Sequence, residues 1–428
     1  MLAIEPSGSA QQANLSPPSP TVKNAGRCSE HFDLSRRTIW TVVKFAASAS
    51  LVAALVYQAV NETQGNGLDW TRQPPRSWPL LGAAWAAMFS SLVITIVRWY
   101  LLVRALDIPF RLRDAFRLGF LGYMFNFVSL GSVGGDLFRA IFIAREAREH
   151  RAEAVATVLI DRIIGLYVLF VIAAVALVYN GLTDSPVREI QAINWLTWVS
   201  VVGGAIGIVM LLVPGFTDGR LSQFLSNLPK VGPTIGKLLV AVRIYRRKVG
   251  VLFWVTLLTV AVHGLGTLGV YFSARGLIAE TPTLAEHFVI VPLAMVASAL
   301  PLPLMGLGAV EAALKVLYAQ VPVTAKLGVG EVLRISVVFR VIQILNALVG
   351  GAIYLYSRRQ VTELMHEAEY VAAHGGEMNT LDAAIAQEKR AGEHGAKADG
   401  KKSTRTMLLL SLLVMAVAAS GFSCLAMR

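Results

Sequence analysis

Charge is scarce in this chain and cysteine nearly absent. Asp, Glu, Lys and Arg make up only 15% of the 428 residues, while 55% are hydrophobic and the mean hydropathy is +0.58. A water-soluble domain of that length needs a far more polar surface, so a soluble fold is excluded and a polytopic membrane protein is implied. The two cysteines, Cys28 and Cys424, lie near opposite ends, which excludes a disulfide framework and a cysteine metal site. Catalytic signatures are missing too. The glycine-rich stretch 131–136 lacks the lysine and Ser/Thr of a phosphate-binding loop, Ser132 is not framed as Gly-x-Ser-x-Gly, and no His/Glu helix pair points to zinc. The longest polar segment, 357–405, is about 50 residues, small for a catalytic domain. No catalytic residue, metal or cofactor is therefore expected.

Bases outnumber acids, 39 to 27, for a formal net charge of +12. Such an excess suits either nucleic acid or the cytoplasmic loops of a membrane protein, and its distribution decides between them. Residues 1–37 are rich in Ser, Pro, Ala, Gln and Asn without an apolar period, which predicts a disordered cytoplasmic tail. An apolar run at 38–60 predicts the first span, and Lys23, Arg27, Arg36, Arg37 and Lys44 hold the N-terminus in the cytoplasm. Further spans are expected at 79–103, 153–180, 195–213, 251–274 and 332–356. Arg98 and Arg104, at the inner end of the second, are expected to snorkel to the headgroups. The connection 214–248 sets Arg220, Lys230, Lys237, Arg243, Arg246, Arg247 and Lys248 against Asp218 alone, the strongest orientation signal in the chain. Every loop assigned to the cytoplasm is basic and the outer loops are near neutral or acidic, so no nucleic-acid partner is needed. A charged cytoplasmic tail at 359–405 and an accessory apolar helix at 406–428, spanning or interfacial, complete the chain. The expected location is a plasma (inner) membrane, crossed several times.

Two stretches interrupt the apolar pattern. Ser129 to Arg139 places Gly134 and Gly135 directly before Asp136, with Arg139 three residues on; Pro301 to Glu311 places Gly306 and Gly308 before Glu311. Basic flanks on both sides of 113–150 predict that this segment enters and leaves on one face, as a re-entrant hairpin. The segment 287–320 is expected to do the same from the outer face. Broken backbone at membrane depth is tolerated only inside protein or around a cavity. Each broken segment precedes a span bearing an arginine, Arg162 in one and Arg340 in the other. The expected fold class is thus all-α, with about seven full transmembrane helices plus two re-entrant helical hairpins in an inverted repeat; the domain proper covers 38–358.

The residues expected to hold an anionic headgroup follow from this. Arg139, Arg162 and Arg340 supply positive charge, Gly134, Gly135, Gly306 and Gly308 supply backbone N–H groups, and Asp136, Asp161 and Glu311 orient the bases. Plainer roles stand beside these. Arg162 is also placed to form a structural ion pair with Asp136 or Glu311, and Arg139 to mark the cytoplasmic face. Glu311 has Lys315 at i+4 and Arg340 as competing partners. Asp161 cannot neutralise Arg162 by adjacency, so a hairpin amide or another arginine is its expected partner. Asn126 and His263 are read as interhelical hydrogen-bonding groups, and Gly264 and Gly266 as close helix packing.

Several of these motifs carry a resemblance. Tyr123-Met124-Phe125-Asn126-Phe127 leading into Gly134-Gly135-Asp136-Leu137-Phe138-Arg139, then Asp161-Arg162, Pro301 with Gly306-Leu307-Gly308, Glu311-Ala312-Ala313-Leu314 and Arg340 resemble the transmembrane region of bacterial lysylphosphatidylglycerol synthases. That family is also described as flippase-like or UPF0104, and the likeness covers about 38–358. The resemblance implies a membrane domain that moves anionic or lysylated phospholipid between leaflets. The soluble aminoacyl-transferring domain of the full-length synthases has no counterpart in the sequence, so the chain is not expected to be an enzyme by itself. Its implied partners are membrane lipids and a separately encoded transferase. The alternatives are a transporter of polyprenyl-phosphate-linked sugar, a membrane subunit of a lipid aminoacyl- or glycosyl-transferase, and a scaffold without catalysis.

Overall fold

The structure is a computed structural model that describes residues 43, 46, 48–58, 61, 74–128, 134–146, 151–212, 245, 246, 248–299, 303–321 and 324–356. Val43 and Ala46 are helical, and the account below concerns Ala47 onward. The expected tails at 1–37 and 359–405, the C-terminal helix at 406–428, and most of the basic connection 214–248 lie outside the described residues.

The described residues are mostly helical, with no strand among them. We label them α1 (Ser48–Gln58), α2 (Trp78–Arg104), α3 (Leu112–Val128), α4 (Gly134–Glu146), α5 (Arg151–Tyr179), α6 (Arg188–Leu212), α7 (Val249–Leu277), α8 (Leu284–Val296), α9 (Pro303–Gly306), α10 (Ala309–Gln320) and α11 (Val329–Tyr356). Five of them, α2, α5, α6, α7 and α11, are long and apolar enough to cross a bilayer. The other helices are shorter over their described residues than the ~20 residues a span needs, and the run expected to span at 38–60 is described only in part, as α1 with Val43, Ala46 and Asn61. The protein is therefore an all-α, multi-pass membrane protein. Trp195, Val202 and Ile206 on α6, and Phe253, Trp254 and Leu257 on α7, are exposed large apolar side chains, as surfaces solvated by lipid require.

The packing is arranged as two matched sets. α2 and α7 lie along each other in the most extensive pairing of the molecule. α3 packs on α4 as α8 packs on α10; α4 on α5 as α10 on α11; and α5 on α8 as α3 on α11. Exchanging α2 with α7, α3 with α8, α4 with α10 and α5 with α11 maps these contacts onto one another. Only α1, α6 and the small α9 fall outside the exchange.

Close backbone approach explains several glycines. A Cβ on Gly135 would lie 1.9 Å from the Gly122 carbonyl oxygen, and one on Gly350 would lie 2.3 Å from that of Phe120. These positions let α4 and α11 settle directly onto α3. Gly264 and Gly266, expected to pack closely, have nothing within 4 Å of an added Cβ. They lie on the open side of α7, and Gly269, against Met88 and Ala84, makes the close contact instead.

The second broken segment is irregular for visible reasons. Pro292 sits inside α8, where it removes a helix donor. A 3₁₀ turn at Ala297–Ala299 follows, and Met305, Gly306 and Gly308 then take positive φ values of 56°, 78° and 89°. Glycine adopts this region freely; Met305 does so under strain. The segment is closed at its base by Glu286. Its carboxylate accepts from Thr283 N (2.6 Å) in a capping box and from Thr324 Oγ1 (2.7 Å), tying the start of α8 to the lead-in of α11.

Candidate functional site: two matched ion pairs

α4 opens with Gly134, Gly135 and Asp136. The Gly135 N–H donates to Asn126 Oδ1 (3.0 Å), so α3 caps the start of α4. Asp136 projects from this first turn toward α5, where Arg162 Nε and Nη2 each meet its Oδ2 at 2.5 Å. The Arg162 side chain is 46% exposed and that of Asp136 15%, so the pair sits at the edge of the packed region rather than within it. An arginine within an apolar span is expected to be buried, but the charge of Arg162 is accessible.

One residue back, Asp161 points the other way, into the protein. Arg98 meets it through Nε–Oδ1 and Nη2–Oδ2, both 2.8 Å, and donates from Nη1 to Thr259 Oγ1 at 2.8 Å. Arg98 thus binds α2 to α5 and α7, and does not snorkel. A buried guanidinium is stable only when its donors are engaged, and Asp161 and Thr259 engage them. His263 adds a nearby link, donating from Nε2 to the Gly165 carbonyl (3.1 Å) between α7 and α5.

Arg139 is buried between α4 and α3. It donates to the Gly119 carbonyl (3.0 Å), lies 5.4 Å from the Trp99 ring centre and reaches Asp136 at 3.9 Å. Three arginines, Arg98, Arg139 and Arg162, therefore share two carboxylates, Asp136 and Asp161.

The second set repeats the first in simpler form. Glu311, in the first turn of α10, accepts from the Gly308 N–H through Oε2 (2.6 Å) and pairs through Oε1 with Arg340 Nε of α11 (2.7 Å). Arg340 Nη1 also donates to Gln343 (3.0 Å). This pair is more buried, at 12% and 6% exposure. The exchange that relates the helices relates the pairs as well: acid in the first turn after the break, arginine in the following span. The chemistry differs around them. Leu314 stands three residues after Glu311, where Arg139 stands after Asp136, and Phe339 precedes Arg340 where Asp161 precedes Arg162. One set carries a surplus cation and the other is neutral. They approach each other through α3, which packs on α9 and α11 and whose Tyr123 is within electrostatic reach of Arg340.

The structure thus brings Arg162 to Asp136, Arg340 to Glu311 and Arg139 to the rim of the first pair, and turns Asp161 away. The N–H groups of Gly135 and Gly308 are taken by the protein's own acceptors. Gly306 forms part of the turn. Sequence reasoning gave Arg98 to the headgroups rather than to Asp161, and missed Thr259. Arg98 lies almost two turns inside α2 from Arg104, and that depth was the available signal.

The fold and the site define an all-α, multi-pass membrane protein that carries two matched acid–arginine pairs among its helices. The family profile described as the lysylphosphatidylglycerol synthase TM region matches residues 41–351, and the chain belongs to that family. No curated protein matches the chain, and no solved structure does.

Proposed function

We propose that this protein is a flippase-like lipid transporter of the plasma membrane, with its N-terminus in the cytoplasm. The broken segments α3–α4 and α8–α10 are its two re-entrant hairpins, counterparts in an inverted repeat, and an anionic or lysylated phospholipid headgroup binds between them. The observation that carries this reading is the accessible Asp136–Arg162 pair beside Arg139. A guanidinium that shares its Asp136 carboxylate with a second arginine gains from a phosphate, which offers it a bidentate acceptor. The matched but buried Glu311–Arg340 pair supports a counterpart role on the opposite face, as expected where two interrupted elements meet near the midplane.

Reconstituted vesicles test the proposal. Fluorescent phosphatidylglycerol, lysyl-phosphatidylglycerol and a polyprenyl phosphate are followed between leaflets, wild type against Arg162→Ala. The expected result is movement of an anionic or lysylated phospholipid that is lost in Arg162→Ala. Movement of the polyprenyl phosphate alone would give the site to a lipid-linked sugar, and no movement of any lipid by folded protein would refute transport.

A further inference from the structure

Helix α1 has no counterpart among the exchanged helices, and it is attached by one face. Leu55 packs with Val329 and Leu333 of α11, Ser48 and Leu51 close over Gly308, and Gln58 accepts a hydrogen bond from Lys315 Nζ of α10. A second face, Ala49, Val52, Ala53, Val56 and Tyr57, recurs at helical spacing. With Leu307 it lines an open groove of about 650 Å³ that offers carbon along nearly its whole length. The two alanines make the hollow.

The groove ends beside a cation. Tyr57 is next to Gln58, and Gln58 holds Lys315 through a neutral amide. Glu311, one turn before Lys315 on α10, is engaged by Arg340 and the Gly308 N–H. Among the described residues, Lys315 has no carboxylate partner, although it is half-buried. From Ala49 to Tyr57 the trough runs ~12 Å at 1.5 Å per residue. That is close to the ~15 Å depth of one leaflet's hydrocarbon. Water gains nothing along such a wall, and an alkyl chain does.

We propose that the groove between α1 and Leu307 holds one acyl chain of an anionic phospholipid whose phosphate rests against Lys315. The site is separate from the Asp136–Arg162 pair. It rests on the membrane placement of the family, and it does not require that the protein transport anything.

The test uses the full chain in nanodiscs of phosphatidylcholine, doped with a phosphatidylglycerol or a phosphatidylcholine tracer carrying a diazirine on its acyl chain. After illumination, labelled peptides are mapped by mass spectrometry. Labels should concentrate on residues 49–57 and Leu307, with phosphatidylglycerol favoured over phosphatidylcholine by about fivefold, the ~1 kcal/mol of one lysine near anionic lipid. Lys315→Gln should abolish the preference. Ala53→Trp, at an exposed position, should remove the groove labels while those on the outer faces of α6 and α7 persist. Even labelling of all lipid-facing helices, unaffected by Ala53→Trp, overturns the proposal. Equal yields from the two tracers overturn it also, as do groove labels that appear only after residues beyond 405 are removed, which would give the groove to the C-terminal segment.

Discussion

Asp161 and Arg162 are neighbours in sequence with opposite surroundings. Successive residues on a helix point about 100° apart, so one can face the interior and the next its edge. Asp161 is fixed by Arg98, and removing it leaves a buried guanidinium uncompensated. Asp161→Ala should therefore cost ~3–5 kcal/mol, read as a fall in thermal unfolding temperature in detergent. Replacing both partners, Arg98→Leu with Asp161→Leu, should restore much of that loss, because paired removal also removes the desolvation cost. Arg162→Ala is expected to behave differently. Its partly exposed pair contributes at most ~1 kcal/mol, so the variant should melt near wild type while losing lipid movement. The residue types at the site were readable in advance because charge in an apolar span is costly and therefore conspicuous. Their partners were harder to read. Arg98 lies 63 residues before Asp161, and nothing local says which arginine a carboxylate will choose.

At the scale of elements, the broken segments were legible because glycine and proline cluster there beside charge, in otherwise apolar sequence. What the pattern did not reveal is which glycines touch. Gly135 and Gly350 meet backbone oxygens, and backbone cannot give way as a side chain can. Gly135→Ala and Gly350→Ala should each destabilise by ~1–3 kcal/mol or more, through overpacking. Gly264→Ala and Gly266→Ala meet open space and should stabilise slightly, by up to ~1 kcal/mol of helix propensity. The unfolding temperatures of the four variants order them. A glycine that faces lipid and one that faces a partner look alike in sequence, since neither carries a side chain to declare its environment.

For the whole molecule, orientation is the quantity that basic loops encode and that helix packing leaves open. If both broken segments turn back to the side they enter, cysteines at Asp184 and Lys326 should both react with an impermeant maleimide added outside. A single crossing by the second segment would move Lys326 to the inside and leave Asp184 outside. A single crossing by the first would move both. The exchange relation among the helices could be anticipated from element order, because two span–break–span units recur. The same order already leaves the first apolar run, 38–60, ahead of both units, and α1 stands outside the exchange.

The contact of Gly135 on the Gly122 carbonyl sets how such a molecule could move. With no gap between them, and with Asn126 fastened to the start of α4, α3 and α4 cannot slide past each other; they form one stiff lever. The Arg98 clamp meanwhile anchors α5 to α2 and α7. Loosening Asp136 from Arg162 therefore calls for the lever to swing as a unit against a fixed post. Spin labels on α3 and α4 should keep their separation when lipid is added, while the distance from α4 to α5 changes. Constant distances throughout would show that the added lipid leaves this frame unmoved.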